Sequence, residues 1–123
     1  MEQYELWRKR ALSDLKAAKV LKVDGVFIED ACFHIQQCVE KSIKALLLYF
    51  GGEPRRTHNI SSLLVDLGQY LEVPEKFRDT LPSLADYITM RYPGIYEEVD
   101  DEEYNTLIEM ADDWIVWVNE ILK

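Results

Sequence analysis

Basic and amide side chains that could bind a phosphate are concentrated between Phe27 and His58. A spacing of three or four residues puts several of them on one face of a helix, so their polar ends project together. That face carries His34, Gln37, Lys41 and Lys44, and Leu48 continues it. Arginine beside aromatic rings suits phosphate and base binding. We therefore predict a nucleotide site formed by Lys41, Lys44, the following loop residues Arg55, Arg56 and His58, and the later pair Arg91 and Tyr92.

Each of these side chains also has a purely structural interpretation, which the sequence leaves open. Lys41 and Lys44 could pair with Glu40 or with an acid on a neighbouring helix. His58 could form a hydrogen bond at the start of the next helix. Arg91 could form an ion pair with Asp86 or Glu97.

The sequence lacks the motifs of several familiar catalytic, phosphate-binding and metal-binding sites. Neither His34 nor His58 has a glutamate three positions before it, so the paired Glu-x-x-His motifs of a di-iron bundle are missing. Gly51-Gly52 is not part of a phosphate-binding loop, and no G-x-S-x-G nucleophile motif occurs. Cys32 and Cys38 lack the C-x-x-C spacing of a zinc site. The sequence therefore predicts no catalytic residue, no metal and no cofactor.

An acidic run, residues 97–103, is the remaining candidate for a divalent cation. Asp100 and Glu103 have the spacing of a capping box, and carboxylates here would also meet the positive end of a helix dipole. We interpret the run as the start of the last helix.

Composition and charge limit the partners of the chain. Its 123 residues allow one domain, 1–123, and the net charge of −9 argues against binding duplex DNA. Residues 1–61 carry 10 Lys/Arg and 8 Asp/Glu, whereas residues 62–123 carry 4 and 15, so an anion site should use the first half. No apolar run approaches the roughly 18 residues of a membrane span. The absence of a signal-like N-terminus and two thiols that cannot bridge within one helix predict a cytoplasmic protein.

Hydrophobic periodicity predicts an all-α fold, because no segment alternates with a period of two. We predict helices over Glu2–Val23 and Phe27–Phe50, with Gly51-Gly52 ending the second. A third helix should start near Thr57 or Asn59 and reach Leu71; a fourth should follow Pro74 and break or kink at Pro82. The last helix follows Asp100 and has the clearest apolar stripe, with Met110 and Trp117 at its edges. The expected architecture is an up-and-down four-helix bundle with an additional short helix, in which Phe27–Phe50 is central.

The segments that carry a family resemblance are Ala31-x-Phe33-x-x-Gln36-Gln37-Cys38-Val39-Glu40-Lys41-x-x-Lys44-Ala45-Leu46, then Gly51, Thr57-His58 with Leu63-Leu64, and Arg91-Tyr92-Pro93, preceded by Asp14-Leu15-x-x-Ala18. They resemble the HEPN domain family (higher eukaryotes and prokaryotes nucleotide-binding). The resemblance covers nearly the whole chain in order. Each motif is loose alone, but together they are fairly specific.

The resemblance implies a small helical bundle, often a homodimer, commonly encoded beside a minimal nucleotidyltransferase in a toxin–antitoxin-like pair. Many members are metal-independent ribonucleases with an arginine followed by a histidine. Arg91 matches that arginine, but the positions expected for the histidine hold Tyr96, Glu97 and Glu98. We therefore expect a non-catalytic module that binds a nucleotide or RNA and pairs with a nucleotidyltransferase, which could modify Tyr92 or Tyr96. The alternatives are a ribonuclease using Arg91 with His58, and a purely structural interaction bundle.

Overall fold

The computed structural model describes residues 2–91 and 98–123, with the backbone alone at residues 86 and 88–91. The helices are α1 (Gln3–Val20), α2 (Ile28–Tyr49), α3 (Ile60–Leu67), α4 (Glu75–Thr80), a 3₁₀ helix (Leu81–Arg91) and α5 (Asp101–Ile121). No strand occurs in the part of the chain that is described. The predicted all-helical fold is confirmed.

Helix α2 is the centre of the molecule, as its apolar composition predicts. It packs against α1, α3, the 3₁₀ helix and α5. Its residues Ile35, Val39, Ile43 and Leu46 have no solvent exposure. An apolar surface this wide can be buried only when neighbours cover a helix on several sides.

Helix α2 ends in a glycine cap. Gly51 has φ +88°, a conformation that L side chains rarely adopt. The Gly51 amide donates to the carbonyl of Leu48 at 3.0 Å, and the Gly52 amide donates to that of Leu47 at 2.8 Å. This pair of bonds is a Schellman motif, which satisfies two carbonyls that the helix leaves free. It also sets where the following basic loop begins.

Helix α1 is shorter than predicted. It ends at Val20 instead of Val23, and Gly25, also at φ +88°, lies in the turn that follows. The predicted stop at Asp24-Gly25 therefore marks the turn rather than the last helical residue.

Helix α3 is also shorter than predicted. The side chain of Asn59 accepts a hydrogen bond from the Ser62 amide at 3.0 Å, which makes Asn59 the N-cap. The helix ends at Leu67 instead of Leu71, with Gly68 as its C-cap and turns after it. Gly68 is the physical reason, because glycine is a poor helix former that favours helix ends.

The break predicted at Pro82 is a change of helix type. The α4 helix runs to Thr80 and continues as the 3₁₀ helix from Leu81. Proline has no amide hydrogen to donate four residues back, so the α-helical bonding pattern cannot pass through Pro82.

Helix α5 is anchored at its start and at its middle. The Asp100 carboxylate accepts the Glu103 amide at 2.8 Å, which confirms the predicted cap, while the Glu103 carboxylate accepts the Tyr87 hydroxyl. Trp114, fully buried, donates its indole N–H to the Ser42 hydroxyl of α2 at 2.6 Å. None of the helices described is long and apolar enough to cross a membrane.

Candidate functional site

A buried carboxylate organises the polar residues in the middle of α2. Glu40 is 3% exposed. Its Oε2 lies 3.1 Å from Nζ of Lys44, and its Oε1 lies 2.7 Å from Nδ1 of His58. Gln36 donates from Nε2 to the same Oε1 at 3.3 Å. We call Gln36, Glu40, Lys44 and His58 the Glu40 cluster.

Two local features of the sequence bring the cluster together. Lys44 follows Glu40 by one helical turn, the spacing and order that favour an ion pair within a helix. His58 arrives from the loop that turns back after the Gly51 cap, and the Gln36 side chain donates to the His58 carbonyl at 3.4 Å. Loop and helix are thus joined through both the ring and the backbone of His58.

A second buried carboxylate forms a parallel arrangement on the α1 side of α2. Asp14, 8% exposed, places Oδ1 2.8 Å from Nδ1 of His34 and Oδ2 2.7 Å from Nζ of Lys41. The two lysines that share a helix face therefore belong to different carboxylates. Lys41 and Lys44 each pair with an acid in the structure, as the purely structural interpretation of these lysines expects.

The environment of Lys44 is largely closed. Its side chain is 9% exposed, and Nζ lies 5.5 Å from the centroid of the Trp7 ring. A cation over an indole face gains a further electrostatic attraction. An incoming anion would reach Lys44 only by displacing protein contacts.

The loop arginines differ in their accessibility to a ligand. Arg55 binds Asp66 through two parallel hydrogen bonds, Nε to Oδ2 at 2.8 Å and Nη2 to Oδ1 at 2.7 Å. These bonds, with the charge of Asp66, raise the pKa of the Arg55 guanidinium. Arg56 is exposed and has no ion pair with any residue that the structure describes.

The later part of the predicted site lies outside what the structure describes. This applies to the side chain of Arg91 and to Tyr92, and equally to Tyr96 and Glu97. Among the described site residues, Lys44 and His58 both contact the Glu40 carboxylate, whereas Lys41 contacts Asp14.

The chemistry available to this arrangement centres on the imidazole of His58. An ionised carboxylate only accepts hydrogen bonds, so the Nδ1 facing Glu40 carries a proton. The His58 side chain is 66% exposed, and Nε2 has no hydrogen bond to the described residues. Nε2 can therefore accept a proton or, when protonated, contact an anion. The described residues contain no group of three or more His, Cys, Asp or Glu placed to hold a metal ion.

Asp14 and Glu40 are the functional-site candidates that sequence reasoning did not select. A signal existed for Asp14, because it lies between Ala11, Leu15 and Ala18 on the buried stripe of α1. An acid on an apolar stripe requires partners that satisfy its oxygens. For Glu40 the spacing to Lys44 was visible, whereas its burial and its contact with His58 depend on how the loop returns.

The protein belongs to the class of small helical domains in which a central apolar helix, α2, also takes part in two buried carboxylate clusters, and sequence comparison identifies the family. The chain matches the HEPN domain over residues 4–121, so it belongs to the HEPN family.

Relatives of known name and structure agree with this assignment. "Putative toxin MJ1304" of Methanocaldococcus jannaschii is 28% identical, over 97% of this chain and 88% of that protein. The crystal structure of TT1696 from Thermus thermophilus superposes with a TM-score of 0.85 at 27% identity, covering 98% of both chains. The crystal structure of ST0689, described as an archaeal HEPN homologue, gives a TM-score of 0.76 at 32% identity over the full length of both.

Proposed function

We propose that this chain is the HEPN module of a toxin–antitoxin-like pair: a cytoplasmic, non-catalytic homodimer that binds a nucleotide or RNA. Its partner would be a minimal nucleotidyltransferase. Membership of the HEPN family and the similarity to a protein named as a putative toxin support the toxin–antitoxin part. The nucleotide part rests on the site described above.

The observation that carries the binding proposal is the exposed imidazole of His58, whose opposite nitrogen is tied to buried Glu40. A ring held in this way offers Nε2 to a phosphate without the entropy cost of ordering a free side chain. Arg56 lies two residues earlier, exposed and unpaired with the residues described. In a chain of net charge −9, an exposed arginine two residues before an imidazole that can take up a proton is where an anion would bind. Arg91 and Tyr92 complete the proposed site.

Calorimetric titration with ATP and with a short single-stranded RNA tests this proposal. We expect His58→Ala and Arg91→Ala each to weaken binding about tenfold, the effect of removing one good contact. Arg10→Ala is the matched control, because Arg10 is exposed, carries the same charge and lies on α1. No heat with either ligand, or an equal loss in Arg10→Ala, would contradict the proposal.

A metal-independent ribonuclease is the second candidate, and the contact between Glu40 and His58 favours it. A carboxylate at Nδ1 fixes the tautomer in which Nε2 can accept a proton, as a general base for attack by a 2′-hydroxyl must. Arg91 would stabilise the phosphate. The histidine expected after Arg91 is absent from the sequence, so His58 would have to supply this function from the loop before α3.

Incubation of RNA with purified protein and EDTA separates the two candidates. Under the ribonuclease hypothesis RNA is cleaved, His58→Ala abolishes cleavage, and Glu40→Gln reduces it while shifting its pH profile. Intact RNA with a contaminant-free preparation would eliminate the ribonuclease hypothesis and leave binding as the function.

Co-expression with a neighbouring nucleotidyltransferase tests the proposed partner. We expect the two proteins to purify as one complex. A nucleotide-sized mass increase on Tyr92 or Tyr96 would show that the partner modifies this chain. Separate elution at micromolar concentration would contradict the pairing.

A further inference from the structure

A groove between α4 and α5 is unused by the proposed nucleotide site. Two adjoining depressions of about 260 Å³ and 310 Å³ share Lys76, Phe77 and Asp113 in their walls, so they form one continuous feature. We call it the α4–α5 groove. Met110 lines the first depression and Trp117 the second. These are the two residues that flank the apolar stripe of α5 in the sequence.

The floor of the groove is apolar and held in place. The ring of Phe77 lies 5.1 Å from that of Trp114 and 6.0 Å from that of Trp117, and the two indoles are 5.1 Å apart. Trp114 is in turn fixed by its hydrogen bond to Ser42. At the edge, Val116 is 60% exposed. A rigid aromatic floor with an exposed aliphatic edge is typical of a surface that buries a partner side chain.

The rim of the groove is mainly acidic, and its acids differ from those on the side of α5 that faces α1. On the side facing α1, Asp112 and Asp101 are paired with lysines of the α1 region at 2.8 Å each. The carboxylates on the groove side have no ion pair with any residue that the structure describes: Glu109, Asp113 and Glu120. Lys76 also lines both depressions, with Nζ 4.9 Å from the centroid of the Phe77 ring. The three carboxylates outnumber this one lysine, so the groove presents a net negative field next to apolar surface.

The spacing of these carboxylates indicates what kind of partner element would fit the groove. Glu109, Asp113 and Glu120 lie at i, i+4 and i+11 on one face of α5, a span of about 16 Å or three helical turns. A partner helix of that length could place apolar residues on the aromatic floor and lysines or arginines along the rim. We propose that the α4–α5 groove is a docking surface for a cationic amphipathic helix of a partner protein. This inference does not rest on nucleotide binding.

A synthetic peptide of about 18 residues, with leucine on one helical face and lysine on the other, is a suitable probe. In a titration followed by NMR spectroscopy, we expect shift changes in the backbone amides to cluster on α4 and on residues 106–120 of α5. Two comparison peptides separate charge from amphipathicity: one with glutamate in place of lysine, and one with the same composition in a shuffled order. Both should bind at least about tenfold more weakly.

Paired charge reversals locate the binding on the protein. Asp113→Lys/Glu120→Lys should weaken binding of the leucine–lysine peptide at least about tenfold, since like charges would then face each other. Glu53→Lys/Glu72→Lys is the matched control, because it changes the net charge equally at exposed positions outside the groove. Val116→Asn should also weaken binding, because it removes an exposed apolar contact at the groove edge without adding charge. Val116→Glu is kept for the test of self-association, and circular dichroism checks the fold of every variant.

Four outcomes would overturn the proposal. Three of them concern peptide binding. The glutamate peptide or the shuffled peptide binds as tightly as the leucine–lysine peptide, or Glu53→Lys/Glu72→Lys weakens binding as much as Asp113→Lys/Glu120→Lys does. The fourth is a change of oligomeric mass in Val116→Glu measured by light scattering, which would assign the groove to a second copy of this chain.

Discussion

Asp14 and Glu40 show what residue types and spacing can and cannot predict. Helical spacing correctly placed Lys41 and Lys44 on one face of α2. The partner of Lys44 is local, because Glu40 lies one turn earlier on α2. The partner of Lys41 is distant in sequence, because Asp14 lies on α1, so only the packing of α1 on α2 shows that Lys41 faces an acid. For Arg56 and His58 the nucleotide-binding prediction stays a prediction.

The two buried thiols lead to a prediction about stability at high pH. Burial raises the pKa of Cys32 to about 12 and raises that of Cys38 above its usual range. The unfolded chain releases these protons near the ordinary thiol pKa of about 8.5, while the folded protein keeps them. The unfolded state then binds fewer protons, so the free energy of unfolding falls as the pH rises above about 8.5.

Urea denaturation at about pH 8 and about pH 10 measures this effect. We expect Cys32→Ala/Cys38→Ala to lose less stability between the two pH values than the parent protein does. Its absolute stability should be lower because of the cavities that it creates. Equal pH dependence in the two proteins would show that other groups cause the loss.

At the scale of elements, the signals that act locally were predictable. The Gly51 cap, the Asn59 cap and the Asp100 cap each depend on a few neighbouring residues, and each lies where the sequence indicates. Helix lengths were less accurate, because the apolar residue Leu71 continues the spacing of α3 beyond its end at Gly68. Leu71 packs against the core from a turn rather than from a helix. Periodicity alone cannot separate these two cases.

The Gly51 cap gives a prediction at this scale. Gly51→Ala should lower the free energy of unfolding by about 1 kcal/mol, because an L side chain at φ +88° is strained. No atom lies within 4 Å of where the new Cβ would be, so the cost is conformational and not steric. Gly51→Asn should cost less, since asparagine tolerates this region better. Chemical denaturation measures both, and equal stability of the alanine and asparagine variants would contradict this explanation.

At the scale of the whole molecule, charge and exposed apolar surface are distributed unevenly. The first half of the chain is nearly neutral and the second half strongly acidic. Exposed apolar side chains occur where α1 leads into α2: Val20 is 61% exposed, Val23 57% and Phe27 72%. A group of exposed apolar residues of this kind commonly marks an association surface.

We expect the protein to be a homodimer, as the family resemblance implies. Size-exclusion chromatography with light scattering should give a mass of twice 14.4 kDa at tens of micromolar protein. Phe27→Ser should shift the monomer–dimer equilibrium towards the monomer if this group of exposed apolar residues contributes to the interface. A single-chain mass for the parent protein at that concentration would contradict the dimer.

The Trp114–Trp117 pair has an optical consequence. Two indoles with centroids 5.1 Å apart and planes tilted by 33° are close enough for their electronic transitions to couple. Such coupling produces a paired positive and negative band in circular dichroism, which requires both rings to keep a fixed mutual orientation. Because Trp117 lines the α4–α5 groove and Trp114 anchors α5 to α2, we expect a ligand bound in the groove to change this pair of bands, which can be followed without an added label.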